Sequence, residues 1–330
     1  MAKAKWHREL FERHPANPIL TVDAWPYPAN AVFNAGAVLV GQTTLLLVRV
    51  EDRRGISHLC AARSADGVFG WQIDQKPTFC ADPANYPEEL YGVEDPRITF
   101  VSETGEYLIA YTAYSQSGPL VSLARTRDFV SFERLGAAMA PDDKDAAVFP
   151  VRFGGRWAMI HRPSSNIESH GAHMWLSYSP DLKHWGDFRA LMWARHGGWW
   201  DAGKIGLNCP PLLTAHGWLI MYHGVRITAA GAIYRLGLAL LDEHEPSKVL
   251  RRTDEWVFGP REPYERSGDV ADVVFPCGWV LQQGQLRLYY GGADTCVALA
   301  TANIGEVLAY LMALPPYSPQ NLPVGFHERF

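Results

Sequence analysis

The chain has 330 residues, 48% of them hydrophobic, and a formal net charge of −5. That supplies a large core, while the absence of any Lys/Arg run longer than a pair argues against a nucleic-acid partner. No apolar run approaches the roughly 20 residues of a membrane helix, and the charged start from Met1 to His14 has no apolar signal region, so no membrane partner is expected.

In chain order, helical periodicity is confined to Trp6 to Arg13 and to Gly305 to Ala313. Between them lie short β-rich runs broken by Gly, Pro, Asp and Asn: Ala37 to Val40, Thr44 to Arg49, Tyr107 to Tyr111, Trp157 to Ile160, Trp218 to Tyr222 and Leu286 to Tyr290. Many short, evenly spaced strands indicate an all-β sandwich, barrel or propeller. A degenerate repeat selects the propeller. Ser64-Ala-Asp66 precedes Trp71, Thr126-Arg-Asp128 precedes Phe132, and Ser179-Pro-Asp181 precedes Trp185. Each Asp is suited to tie down a hairpin turn through backbone N–H groups, and the aromatic to pack between sheets. The interval from 66 to 128 to 181 suits one four-stranded blade with its loops, so the chain holds about five blades. The reading is one β-propeller domain over residues 1–330, with short helical segments in an N-terminal extension (1–16) and a C-terminal tail (303–330).

Five widely scattered cysteines, Cys60, Cys80, Cys209, Cys277 and Cys296, contain no C-x-x-C pair. Reduced thiols in the cytoplasm are expected, with neither a disulfide framework nor a zinc site. His161, His170 and His173 lack the helical context of a zinc protease, and no metal is expected. Phosphate loops of the Walker type, dinucleotide folds and Gly-x-Ser-x-Gly elbows are missing as well.

The chemistry resides in polar residues beside strands. In Gly92-Val93-Glu94-Asp95-Pro96-Arg97 the proline biases Asp95 toward extended backbone, so Glu94 and Asp95 point in different directions. One can face a central channel while the other binds a structural partner such as Arg97. Strand ends carry His161-Arg162, Lys204 and Tyr222-His223. Arg162, Lys204, Tyr222 and His223 together make a cationic, donor-rich pocket suited to an oxyanion such as phosphate. Asp272 and Asp294 are placed to accept hydrogen bonds from sugar hydroxyls. Asn34 and Arg49 add an amide and an ion-pairing group.

Together these segments resemble glycoside hydrolase family 130, the β-mannoside phosphorylases and related mannosidases. The resemblance runs from about Asn17 to about Ala300. It is carried by Val32-Phe-Asn34-Ala-Gly, Leu47-Val-Arg49-Val-Glu51, Val93-Glu-Asp-Pro-Arg-Ile98, Ile160-His-Arg-Pro163, Lys204-Ile-Gly206, Met221-Tyr-His-Gly-Val225, Val273-Val-Phe-Pro276 and Tyr290-Gly-Gly-Ala-Asp294. It implies a five-bladed propeller, Asp95 as the single acid, and inorganic phosphate as co-substrate with no cofactor. The implied phosphate ligands are Arg162, Lys204, Tyr222 and His223. The implied sugar contacts are Asn34, Arg49, Glu94, Asp272 and Asp294. Phosphate would attack the anomeric carbon of a β-mannoside oligosaccharide with inversion, giving α-mannose 1-phosphate.

Two alternatives stay open at this point. A phosphate-independent inverting β-mannosidase needs a second carboxylate across the site as base, with Glu51, Asp272 and Asp294 as candidates. A non-catalytic sugar-binding propeller needs no cationic group. The chain departs from the family pattern at Asn208-Cys209 and at Asp272, expected to alter acceptor-side or sugar contacts. The linkage cleaved, the acceptor sugar and assembly into a homo-oligomer are left open.

Overall fold

The computed structural model describes residues 9–164, 172–229 and 231–318. They form five antiparallel sheets in chain order, the blades of a β-propeller. Blade I comprises Ala31–Val40, Thr43–Glu51, Ser57–Ser64 and Gln72–Ile73, and blade II Val93–Val101, Glu106–Ser115, Gly118–Thr126 and Phe132–Ala137. Blade III comprises Asp143–Phe153, Arg156–Pro163, Met174–Ser179 and Gly186–Met192. Blade IV comprises Lys204–Leu207, Gly217–Thr228, Gly231–Leu241 and Val249–Arg252, with Leu212–Thr214 also paired to its second strand. Blade V comprises Val274–Gln282, Gln285–Gly292 and Cys296–Asn303.

Blade V takes its outermost strand from the other end of the chain. Glu12–Arg13 pairs antiparallel with Cys296–Asn303, Glu12 opposite Thr301 and Arg13 opposite Ala300. This corrects the helical expectation for Trp6 to Arg13, of which residues 6–8 lie outside the described residues. The open edge of blade V offers unpaired backbone groups, and satisfying them outweighs a weak local helical preference. The C-terminal helix is found at Ile304–Met312. Among the described residues no helix is long and apolar enough to cross a membrane.

The Ser/Thr-x-Asp turns behave as the pattern predicts. Oδ1 of Asp66 accepts from the backbone N–H of Val68 and Phe69, that of Asp128 from Val130 and Ser131, and that of Asp181 from Lys183 and His184. The Trp71 and Trp185 indoles donate to the carbonyls of Val68 and Leu182. Asp242 makes the same turn in blade IV, accepting from His244 and Glu245. In blade V the equivalent residue, Asn303 of Thr301-Ala-Asn303, instead caps the C-terminal helix by accepting from the Glu306 N–H.

Apolar side chains fill the seams between blades rather than one central core. Leu46 and Val48 of blade I meet Tyr289 and Leu299 of blade V, while Leu45 and Leu47 meet Ile98 and Ile109 of blade II. Period-2 alternation on each strand therefore sends successive side chains into opposite seams. Only residues near the start of each inner strand are left to face the axis.

Candidate active site

Three blades repeat one device at that start. In each inner strand two residues oppose a single residue of the next strand, a β-bulge: Asn34-Ala35 in blade I, Asp95-Pro96 in blade II and Asp145-Ala146 in blade III. Asn34, Asp95 and Asp145 all take left-handed backbone, with φ of 45°, 49° and 55°. Asn and Asp tolerate that conformation better than other side chains. Asp95 is thus not extended, as its proline led one to expect. The bulge turns it toward the axis, and Asp95 is 3% exposed.

Oδ1 of Asp95 accepts from Nδ2 of Asn34 at 2.9 Å and from Nη1 of Arg49 at 3.1 Å. Arg49 is itself clamped, with Nη2 donating to Glu94 Oε1 at 3.0 Å and Nε to Ser57 Oγ at 2.9 Å. Glu94 is therefore an ion-pair partner of Arg49. Arg97, the partner first considered for this acidic pair's structural member, is taken elsewhere. It lies buried under the site and donates to Asp145 Oδ1 at 3.2 Å and to the carbonyls of Asp95, Leu207 and Asn208. One guanidinium thereby ties blades II, III and IV together.

On the next blade, Asp145 Oδ2 accepts from Nε of Arg162 at 2.8 Å, Arg162 Nη2 is also 2.8 Å away, and Nη1 donates to Ser164 Oγ at 3.0 Å. The imidazole of His223 lies 3.5 Å from the same carboxylate oxygen and packs on Phe275 with ring centroids 4.9 Å apart. A Cβ on Gly206 would stand 2.5 Å from Asp145 Oδ2, 2.6 Å from His223 Cε1 and 2.9 Å from Arg162 Nε. This cluster closes only because residue 206 has no side chain. Gly36 does the same for blades I and II, where a Cβ would come 2.6 Å from the Pro96 carbonyl oxygen.

Both clusters open on one cavity of about 690 Å³, which Lys144, Lys204, Tyr234 and Asp294 also line. Lys204 Nζ sits 5.4 Å from the centre of the Tyr234 ring. Among the described residues neither lysine's ammonium makes a hydrogen bond or a salt bridge. Burial pulls the pKa of the Lys204 ammonium down and Arg162 adds to this, against the pull of Asp145. Burial acts against the charge of Lys144 too, but Asp145, Asp95 and Glu94 outweigh it and leave its pKa raised. Burial depresses His223 to about 3, against the pull of Asp145, so its imidazole is neutral at neutral pH. Burial also raises Asp95, but Arg49, Lys144 and Arg97 more than offset that and hold it below the usual carboxylate range. Asp294 goes the other way: burial, then the charge of Asp95, push it up to about 7.

Of the residues singled out from sequence, Asp95, Asn34, Arg49, Asp294, Arg162, Lys204 and His223 converge on this cavity. Tyr222 does not. Adjacent strand residues face opposite ways, so Tyr222 turns into the seam with blade III and stacks on Trp200 at 5.6 Å. Its hydroxyl donates to Asp201 and accepts from Arg252. Asp272 also stays outside, at the rim with Arg266 Nε 3.3 Å from its Oδ1. The Asn208-Cys209 departure lies beneath the site: Asn208 donates to the Pro276 carbonyl, and Cys209 is buried in the seam between blades IV and V. His161 is held by Asp143 at 2.6 Å, and His173 accepts from the Ala194 N–H. His170 lies outside the described residues.

The residues missed are Lys144, Asp145, Ser164 and Tyr234. A signal for the first two was present. Lys144-Asp145-Ala146 aligns with Glu94-Asp95-Pro96 and Phe33-Asn34-Ala35 once the inner strands are superposed on their bulges.

The axial cavity of this propeller sets buried carboxylates, Asp95 among them, beside lysines and an arginine, a pocket suited to an oxyanion. The chain belongs to glycoside hydrolase family 130, whose model, described as beta-1,4-mannooligosaccharide phosphorylase, matches residues 11–313. It is 37% identical to a β-1,2-mannobiose phosphorylase of Listeria innocua over 260 residues, 78% of this chain and 69% of that one. It is 33% identical to a β-1,4-mannooligosaccharide phosphorylase of Ruminococcus albus over 313 residues, 92% of this chain and 91% of that one. Among solved structures, the complex of the Listeria innocua β-1,2-mannobiose phosphorylase with β-1,2-mannobiose superposes with a TM-score of 0.83 at 29% identity. That match covers 92% of this chain and 99% of the other.

Proposed function

We propose that this protein is an inverting β-mannoside phosphorylase that cleaves a β-mannosidic bond with inorganic phosphate, giving α-mannose 1-phosphate and a shortened sugar. The observation that carries the reading is the cationic group that shares the cavity with Asp95: Lys144 and Lys204, neither ammonium in a salt bridge among the described residues, beside an Arg162 fork held by Asp145 and Ser164. The Lys204 ammonium, taken partly out of water and without a direct counter-ion, is unfavourable until an anion joins it. Phosphate has the charge and the acceptor oxygens to do so.

Phosphate entering beside Lys144 offsets part of the positive charge that otherwise keeps Asp95 ionised, and so favours its protonated form. Asp95 then delivers that proton to the departing glycosidic oxygen, directly or through the mannosyl 3-hydroxyl, while a phosphate oxygen forms the new bond to the anomeric carbon from the far face. Phosphate brings its own nucleophilic oxygen, so one protein acid is sufficient. A hydrolase of the inverting type needs a carboxylate base across the site. Asp145, the carboxylate beside the cationic group, is engaged by Arg162 and Arg97 and held far below the usual range, although burial alone would raise it. That makes it a poor base. Glu51 is drawn to Arg49 at 3.8 Å, Asp272 is outside the cavity, and Asp294, the candidate that does line it, couples first to Asp95 and then to Arg49, which groups it with the acid rather than with the Arg162 side from which the nucleophile attacks. The five cysteines are free thiols, which supports a reducing, cytoplasmic setting for the reaction.

The test is a panel of β-1,2-mannobiose, β-1,4-mannobiose and 4-O-β-mannosyl-glucose, incubated with and without inorganic phosphate. Mannose 1-phosphate should form from at least one of them, and only with phosphate. Mannose release at the same rate in phosphate-free buffer would overturn the reading.

A further inference from the structure

An in-line displacement puts nucleophile and leaving group on opposite faces of the sugar ring. With phosphate on Arg162 and Lys204 of blades III and IV, and the proton donor Asp95 on blade II beside Asn34 and Arg49 of blade I, the leaving chain departs over blades I and II. That direction rests on the phosphorolytic reading above. It excludes the aromatic groove of Trp199, Trp256 and Arg235, which lies on the blade IV side.

The rim of blades I and II carries two exposed aromatic rings. Tyr91 and Tyr114 are 39% and 41% exposed, with ring centroids 6.0 Å apart and planes inclined by 50°. Their backbones are fixed: Tyr91 N–H donates to the Tyr114 carbonyl at 2.8 Å, and Tyr114 N–H donates to the Gly92 carbonyl at 3.2 Å. Gly92 in turn bridges to Ser57 of blade I. Tyr91 lies four residues before Asp95, so at most about 14 Å of chain separates them. A tyrosine offers a broad apolar face with a polar tip, which matches the C–H face and hydroxyl edge of a pyranose. Held rigid at a rim, the pair loses little conformational freedom when a sugar docks.

We propose that Tyr91 and Tyr114 form a stacking platform for the leaving-chain sugars of a β-mannooligosaccharide, beyond the unit joined to the cleaved bond. The platform confers a preference for longer chains and does not touch the reacting atoms.

The experiment compares wild type with the Tyr91→Ala/Tyr114→Ala double variant in phosphorolysis of mannobiose and mannotetraose, in β-1,2 and β-1,4 forms, at saturating phosphate. For the linkage that wild type cleaves, kcat/KM on the tetraose should fall at least fivefold, through KM, while the biose stays within twofold. The Tyr91→Phe/Tyr114→Phe pair should keep wild-type values on both. Equal losses on biose and tetraose, or an unchanged tetraose, would overturn the proposal. Should the double alanine variant unfold, Tyr114→Ala alone serves, with the same selective loss at smaller size. Calorimetric titration of the same tetraoses into wild type and variant without phosphate reads the platform independently of turnover. A wild type that forms no mannose 1-phosphate but loses tetraose affinity on substitution would sink the phosphorylase reading and leave the platform standing.

Discussion

Asp95 and Asp145 begin as near duplicates. Each sits at the same bulge of an inner strand, in adjacent blades, buried and with left-handed backbone. Their partners make them different. Asp145 is gripped by two guanidinium groups, on Arg97 and Arg162, with His223 alongside. Asp95 accepts only at Oδ1, from an amide and one arginine nitrogen. Among the described residues nothing donates to its Oδ2. One carboxylate is therefore a fixed anion that organises a cationic wall, and the other keeps an oxygen unengaged, as the acid role proposed for it requires. Backbone geometry supplies the position, and the neighbouring cations decide whether it is scaffold or reagent.

Removing the reagent should have the largest effect on rate. Asp95→Asn is expected to lower kcat by about 10²–10⁴-fold, the usual contribution of a positioned general acid. The unfolding midpoint should stay near that of wild type, since the amide oxygen still accepts from Asn34 and Arg49. Retained turnover would remove Asp95 from its role. Asp145→Asn should reverse the pattern. It leaves Arg97 and Arg162 buried without their anion, a loss of about 3–5 kcal/mol of stability, read by urea denaturation, together with a raised KM for phosphate. A stable Asp145→Asn protein with unchanged phosphate KM would break the distinction.

The pH profile sharpens it more gently. Asp294, raised to about 7 by burial and by Asp95, is neutral below that pH and charged above it. A second anion then lines the cavity and repels the incoming phosphate, so kcat/KM should fall as pH rises through about 7, and Asp294→Asn should displace that limb. The same proton bears on stability. It is bound more tightly in the folded chain than in the unfolded one, so this contribution is full at low pH and is lost as pH rises from the ordinary carboxylate range through about 7. The smallest effect is expected from Tyr222→Phe. Its hydroxyl faces Asp201 and Arg252 rather than the cavity, so phosphate KM should remain within twofold. A tenfold rise would place Tyr222 back among the phosphate ligands.

Much of the fold was legible in sequence because its signals are local. A turn carboxylate binds N–H groups two and three residues ahead, and strand alternation has period two, so the Asp66, Asp128 and Asp181 turns and the blade count could be read from one chain. Blade closure was not legible: Glu12–Arg13 forms a strand only because the edge of Cys296–Asn303 is there to receive it.

The site divides in the same way. Sequence by itself determined that Asp95, Asn34, Arg49, Arg162, Lys204, His223 and Asp294 are polar residues beside strands of a propeller, and family resemblance tied them to phosphorolysis. Tertiary structure alone decided that Tyr222 and Asp272 stay outside and that Lys144 and Asp145 come in. A one-residue change along a strand flips a side chain to the other seam, and a bulge resets that alternation. Whether a side chain reaches the axis thus depends on inter-strand register, and whether a buried carboxylate there is free or locked depends on cations brought in from other blades.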